Sequence, residues 1–448
     1  MAPTPPRLAS RTGVLARAVP TALYDLALAA RDGPFALVHR RRTRPAMRIG
    51  LIGLFGLGNA GNDGSLEAML IFLRKVRPDA ELICFCAVNS GASEKVAPDF
   101  RLPTVPLAVP RPAGGLLRVL DMLSLKAPRQ LASLVRSIAQ ARKLDLLIAP
   151  GMGMLDDFTD RPLAMPLALF GWCLAARLCG ARIAFVSVGA GPITHPISRW
   201  LLKSAAAMAR YRSYRDTISK NFMESIGFDT RDDAVYPDIA FKLPAPPSRP
   251  RQPRANGTLT VGVGVMAYQG WRDGDPRGET IYSAYLEKIT CFVLWLLDRG
   301  HVVRILMGDA ADRRAVTDVV TRVASARPDL PEGRLLAEPS CSLHELMHQI
   351  AETDVVVATR FHNVVCALKL GKPTVSIGYG EKNAALMAEM GLDRFCQHIE
   401  RLQLDLLIEQ FTLLLAGRQS YEQSIRETNA VYQRRLKQQD LLLAARVL

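Results

Sequence analysis

Apolar residues in this chain fall into short continuous runs, and polar stretches with helical spacing separate them. The first run is M-R-I-G-L-I-G-L-F at 47–55. It is followed by A-E-L-I-C-F-C-A-V at 80–88, L-D-L-L-I-A-P at 144–150 and A-R-I-A-F-V-S-V-G at 181–189. Runs of this length, rich in branched side chains, read as strands buried on both faces. The pattern predicts a helix over about 65–76 and further helices between the later runs. Strands alternating with helices imply a parallel, doubly wound sheet.

The stretch K-L-P-A-P-P-S-R-P-R-Q-P-R-A-N-G-T at 242–258 breaks this rhythm. It carries five prolines and no apolar periodicity, so it reads as a linker. A second α/β pattern begins after it. Its strands are L-T-V-G-V-G-V (259–265), H-V-V-R-I-L-M (301–307), D-V-V-V-A-T (354–359) and P-T-V-S-I-G (373–378). Helical patterns lie near 280–298, 312–326 and 342–351. From about 400 onward the pattern is helical, ending in an amphipathic segment. The expected organisation is an N-terminal extension (1–47), a Rossmann-like domain (48–245), a linker (246–257), a second Rossmann-like domain (258–398) and a helical tail (399–448).

The length of 448 residues agrees with two cores rather than one. With 49% hydrophobic and 22% charged residues, the composition is that of a globular protein. No secretory signal is legible at the N-terminus, and no apolar run reaches the roughly 18 residues that span a bilayer. The eight cysteines are scattered, with no C-x-x-C pair, and read as packing residues. The expected location is the cytoplasm. Of the net charge of +15, residues 1–48 supply nine arginines against two aspartates, 9 − 2 = +7. Such an arm suits an anionic membrane surface or an anionic substrate, and equally a solvated extension. No nucleic-acid-binding motif accompanies it.

Several segments carry candidate chemistry. Gly56, Gly58 and Gly61 spell G-x-G-x-x-G between a strand and a helix, a turn that brings backbone N–H groups close to a ligand. Asn59, Asn62 and Asp63 lie in reach of such a ligand. The second strand ends without the carboxylate a dinucleotide site requires. His344 and His348 spell H-E-x-x-H, but on a short helix running straight into a strand, which fits a connecting helix better than a zinc site. More informative is A-T-R-F-H-N, where Arg360 and His362 follow a buried strand. In strand-like geometry both would face one way; the segment also fits a helix cap. Arginine supplies fixed donors for carboxylate or phosphate, and histidine exchanges a proton near neutral pH. Arg215-Asp216 and Asp238 follow strands in the first half.

Seven fragments, in order over residues 48–392, resemble the polysaccharide pyruvyl transferase family. They are G-L-F-G-L-G-N-A-G-N-D, D-L-L-I-A-P-G-M-G-M-L-D-D, V-S-V-G-A-G-P, S-Y-R-D-T-I-S, V-Y-P-D-I-A-F, A-T-R-F-H-N and G-Y-G-E-K-N. The resemblance implies two Rossmann-like domains facing across a cleft, similar to the GT-B glycosyltransferases. It implies transfer of a pyruvyl group from phosphoenolpyruvate to two hydroxyls of a sugar or lipid-linked oligosaccharide, giving a cyclic ketal with no cofactor or metal. It implies that Arg215 and Arg360 hold the donor anions and that His362 is catalytic. Beside these, Asn59, Asp63, Asp238 and Lys382 are further substrate-binding candidates. Two positions depart from the family pattern: Asn62 stands where an aspartate is usual, and Pro150 where a glycine is. A nucleotide-sugar glycosyltransferase and a non-enzymatic accessory protein of glycan assembly are the alternative readings.

Overall fold

The computed structural model describes residues 46–86, 100, 102–109, 127–158, 161–247, 257–271 and 274–448. The basic extension up to residue 45 and most of the proline-rich linker lie outside the described residues.

The first half runs β1 (Arg48–Gly53), α1 (Ala60–Val76), β2 (Glu81–Cys86), β3 (Thr104–Pro106), α2 (Ala127–Ala141), β4 (Leu146–Pro150), β5 (Gly153–Leu155), α3 (Met165–Leu178), β6 (Arg182–Ala190), α4 (Pro196–Ala207), β7 (Tyr211–Tyr214), α5 (Thr217–Ser225) and β8 (Ala234–Val235). The second half runs β9 (Thr260–Gly264), α6 (Gly278–Asp298), β10 (Val302–Leu306), α7 (Arg313–Ala326), β11 (Leu335–Leu336), α8 (Leu343–Ala351), β12 (Val355–Ala358), α9 (Phe361–Lys369), β13 (Thr374–Gly378), α10 (Glu381–Glu389), β14 (Cys396–His398), α11 (Leu404–Ala416) and α12 (Arg418–Arg446).

Among the described residues all pairs of strands are parallel. The first sheet has the order β3-β2-β1-β4-β6-β7-β8, with β5 paired to β6. The second has β11-β10-β9-β12-β13-β14, the order of a Rossmann sheet. Central strands such as β4, β9, β12 and β13 are buried at every position, because helices cover both faces. Burying each large aliphatic side chain there contributes about 1.5–3 kcal/mol against leaving it in water.

Four details depart from the sequence reading. Helix α1 begins at Ala60 rather than near 65, because the Asn59 side chain accepts from the N–H groups of Gly61 and Asn62 and caps it. Helix α6 is long and apolar enough, by length and composition, to cross a membrane. In this fold it is a core helix, with Leu286, Ile289 and Val293 fully buried. Cys291 and Cys341 are exposed rather than packed. Finally, α12 crosses back from the second sheet to the first. Part-way along it, Asn429 Nδ2 donates to Leu368 O at 2.8 Å. Further along, Tyr432 meets the edge of Phe241 at 5.0 Å, and Gln439 Nε2 donates to the hydroxyls of Ser187 (2.9 Å) and Ser213 (3.0 Å). A Lys242–Asp440 ion pair completes the strap.

Candidate active site

Both sheets point their strand carboxyl ends at one cleft, where ligands collect in open α/β sheets. From the first domain, β1 runs into the glycine turn. Gly56 and Gly58 hold positive φ of 71° and 89°, which glycine adopts without steric cost. The turn touches the second domain directly. Ala310 N donates to Gly58 O at 2.9 Å, Ala60 N to Gly308 O at 3.3 Å, and Asn59 Nδ2 to Asp309 Oδ2 at 2.9 Å. Asn59 is therefore both helix cap and domain bridge. Gly61 sits against the His362 imidazole: a Cβ there would lie 1.9 Å from His362 Nδ1. The glycine pattern is a docking surface for the other domain.

From the second domain, β12 ends and Arg360 occupies the cap position of α9, with φ −66° and ψ 135°. His362 is in the first helical turn, so of the two geometries open to this segment the helix cap is formed and not a shared strand face. The two side chains diverge. Arg360 lies against its own domain: Nε and Nη2 donate to the two oxygens of Asp312 at 2.8 and 2.7 Å, and Nη1 is 3.6 Å from Asp309. Burial alone would lower the pKa of Arg360; the hydrogen bonds and charge of Asp312, with Asp309, raise it instead. His362 faces the first domain, its Nε2 3.8 Å from Asp238 Oδ2. That nitrogen is buried and has no hydrogen-bond partner among the described residues. Burial pushes the imidazole down to about 4, against the opposing pull of the Asp238 carboxylate. The ring is thus neutral at pH 7 in this state.

Arg215 follows β7. It is buried, with Nη1 3.3 Å from Asp238 Oδ2 and Nε 3.6 Å from Asp216 Oδ2. Its guanidinium lies 4.5 Å from the centre of the Phe361 ring, a cation–π contact across the domains. Gly189 makes room for it, since a Cβ there would lie 2.7 Å from Nη2. Lys382, on the first turn of α10, has its Nζ 4.7 Å from the Tyr379 ring and 5.8 Å from that of Phe361.

These groups surround a cavity of about 520 Å³ whose lining includes Asn59, Arg215, Arg360, His362 and Lys382. Two expected contacts are absent from the wall. Asp63 turns back to accept from Gly56 N at 2.8 Å, and burial raises its pKa to about 6. It shapes the glycine turn instead of facing the cavity. Asp238 caps the 3₁₀ turn 239–242 through Ala240 N at 2.9 Å and sits beneath Arg215 and His362. Asn62, the departure from the family aspartate, does reach the wall. His344 of H-E-x-x-H is paired across the domains with Glu67 at 2.7 Å.

The sequence reading missed Asp309 and Asp312. The signal was G-D-A-A-D directly after the strand 301–307, a polar turn at a carboxyl end like those singled out elsewhere. It also left Asp156 without a role, although that residue lines the cavity.

Comparison with known proteins gives a consistent placement. The chain matches the solved S. aureus MnaA–UDP co-structure with a TM-score of 0.53 and 12% identity, covering 85% of this chain and 90% of that one. A putative UDP-N-acetylglucosamine 2-epimerase from Listeria monocytogenes matches with a TM-score of 0.51 and 12% identity (85% and 91% covered). The lipopolysaccharide outer core galactosyltransferase WaaB matches with 0.51 and 12% (89% and 99%). At such identities the likeness shows the fold, which is GT-B-like. No curated protein matches the sequence. The model of one family, polysaccharide pyruvyl transferase, matches residues 59–381. That span opens on the Asn59 cap, takes in Arg215, Arg360 and His362, and ends one residue short of Lys382. This chain belongs to the polysaccharide pyruvyl transferase family.

Proposed function

We propose that the protein transfers the pyruvyl group of phosphoenolpyruvate to two hydroxyls of a sugar in a glycan or lipid-linked oligosaccharide, forming a cyclic ketal. The observation that carries this reading is His362 itself: an imidazole with a buried, unsatisfied nitrogen on the wall of a cleft that also presents Arg215, Arg360 and Lys382.

The substrate carries a carboxylate and a phosphate. Arg215 and Lys382 offer cationic groups from the two domains, and Arg360 offers Nη1, since its other nitrogens are held by Asp312. Clamping one anion from both sides fixes its orientation, which lowers the entropic part of the barrier. Binding the anion beside the imidazole raises the His362 pKa, so the ring becomes protonated when substrate is in place. His362 then gives its proton to the methylene carbon, leaving a cation at C2. One sugar hydroxyl adds to C2 and loses its proton. The second displaces phosphate, and the two hydroxyl protons end on the histidine and the departing phosphate. This sequence needs no resident cofactor.

One fold neighbour is a co-structure with UDP and another is named a putative UDP-N-acetylglucosamine 2-epimerase, so a nucleotide-sugar donor is the competing reading. Calorimetric titration separates the two. The proposal expects saturable binding of phosphoenolpyruvate that weakens at least ~10-fold in Arg215→Ala, the loss of a charge-assisted contact. Binding of UDP-N-acetylglucosamine with no binding of phosphoenolpyruvate would overturn it.

A further inference from the structure

The donor-handling cations account for only part of the cavity. Where Lys382 leans over Tyr379, the lining becomes aromatic. The Tyr379 ring is 5.8 Å from that of Phe158 and 6.0 Å from that of Tyr268. Trp271 packs edge-on to Phe158 at 4.7 Å. Phe158 comes from the first domain and Tyr379 and Tyr268 from the second, and these three line the cavity with Trp271 packed behind them, so this wall spans the cleft beside the cations. Asp156 belongs to the same turn as Phe158: its Oδ1 accepts from Phe158 N at 3.2 Å, and Gly153 gives it room. The residue is half-buried, and desolvation raises the carboxyl pKa against the pull of Lys382 and Arg215.

A pyranose has flat C–H faces and a rim of hydroxyls. The faces pack on aromatic rings, and the hydroxyls need a nearby acceptor; a pocket pairing a ring with one carboxylate meets both needs. We propose that Asp156 and the Phe158–Tyr379 wall form the acceptor subsite, with a sugar ring packed on Phe158 and Asp156 receiving the proton of the first attacking hydroxyl. This rests on the pyruvyl-transfer reading for its second half. In that step the hydroxyl oxygen bonds to C2, its proton passes to an Asp156 oxygen, and the carboxyl hands it to the phosphate oxygen as the C2–O bond to phosphate breaks. Asp156 ends ionised, ready for another turnover.

Saturation-transfer NMR on the full chain, with the methyl glycosides of glucose, galactose and mannose as probes, tests the first half without donor chemistry. At least one glycoside takes saturation on its ring C–H protons from aromatic protein protons. Phe158→Leu, which keeps bulk without the ring, loses most of that transfer while its melting curve stays that of the wild type. Absence of transfer to all three, or full transfer in Phe158→Leu, overturns the subsite. For the second half, Asp156→Asn lowers kcat by ~10²-fold with the KM for phosphoenolpyruvate unchanged; retained kcat overturns the proton-acceptor role. If the wild type releases no phosphate from phosphoenolpyruvate, the function reading fails, and the sugar-contact result still decides the subsite.

Discussion

Burial sets the state of His362. In the free protein the imidazole is held down to about 4, well below the ordinary histidine value of about 6.5. NMR titration of the ring should place its midpoint near that depressed value and move it up by at least two units when phosphoenolpyruvate saturates the site. A free-protein midpoint at the ordinary value would contradict this. The linkage has a definite sign. Between the depressed and the ordinary value the unfolded chain holds a proton that the folded one lacks, so this residue costs stability as pH falls through that window. Asp63, raised to about 6, acts in the opposite sense, so the contribution is read as the difference between wild type and His362→Gln.

Gly61 gives a second test at the same scale. A methyl there would lie 1.9 Å from the imidazole, so Gly61→Ala should displace His362 and cost ~10²-fold in kcat. Circular dichroism should still report a folded chain. The residue types on both sides of this contact were legible in the sequence, as a glycine motif and an R-x-H. Their meeting was not: nothing local in either segment names a partner in the other domain.

At the scale of elements, the turns at strand carboxyl ends decide the site. The apolar runs predicted β1, β2, β4, β6, β9, β10, β12 and β13, because buried strands leave a continuous signature. The two-residue strand β11 carries too few positions for any pattern, and β8 showed only as the A-V ahead of Asp238. Of the two geometries the sequence left open at Arg360 and His362, the helix cap is the one formed, because α9 starts at Phe361; two positions apart on a helix do not point together, yet both side chains line the cavity. That divergence sends Arg360 to Asp312, which is fully buried. Asp312→Ala therefore leaves a buried guanidinium without its main partner and should cost about 3–5 kcal/mol in urea unfolding. The double variant Asp312→Leu, Arg360→Met should recover much of that loss while remaining inactive.

The whole molecule is two parallel sheets tied by more than a linker. Helix α12 was legible as an amphipathic helix, but its pattern does not say which surface it covers. The structure shows it returning to the first sheet. Its buried Gln439 satisfies Ser187, which holds a positive φ of 49° at the bulge in β6, and Ser213 beside it. Gln439→Ala should leave these hydroxyls short of a partner and lower stability by about 1–3 kcal/mol, read from the midpoint of denaturant unfolding. Such a strap, together with the Asn59–Asp309 and His344–Glu67 contacts, fixes how the glycine turn of one domain meets the histidine of the other.

Phosphate release from phosphoenolpyruvate, followed together with the methyl signal of a pyruvyl ketal on an acceptor glycan, measures the central claim directly. The full chain should give equal yields of phosphate and ketal, slowed by ~10²–10⁴-fold in His362→Ala, the range for losing a proton donor. Equal rates with and without His362, or glycosyl transfer from a UDP-sugar while phosphoenolpyruvate stays intact, would contradict it.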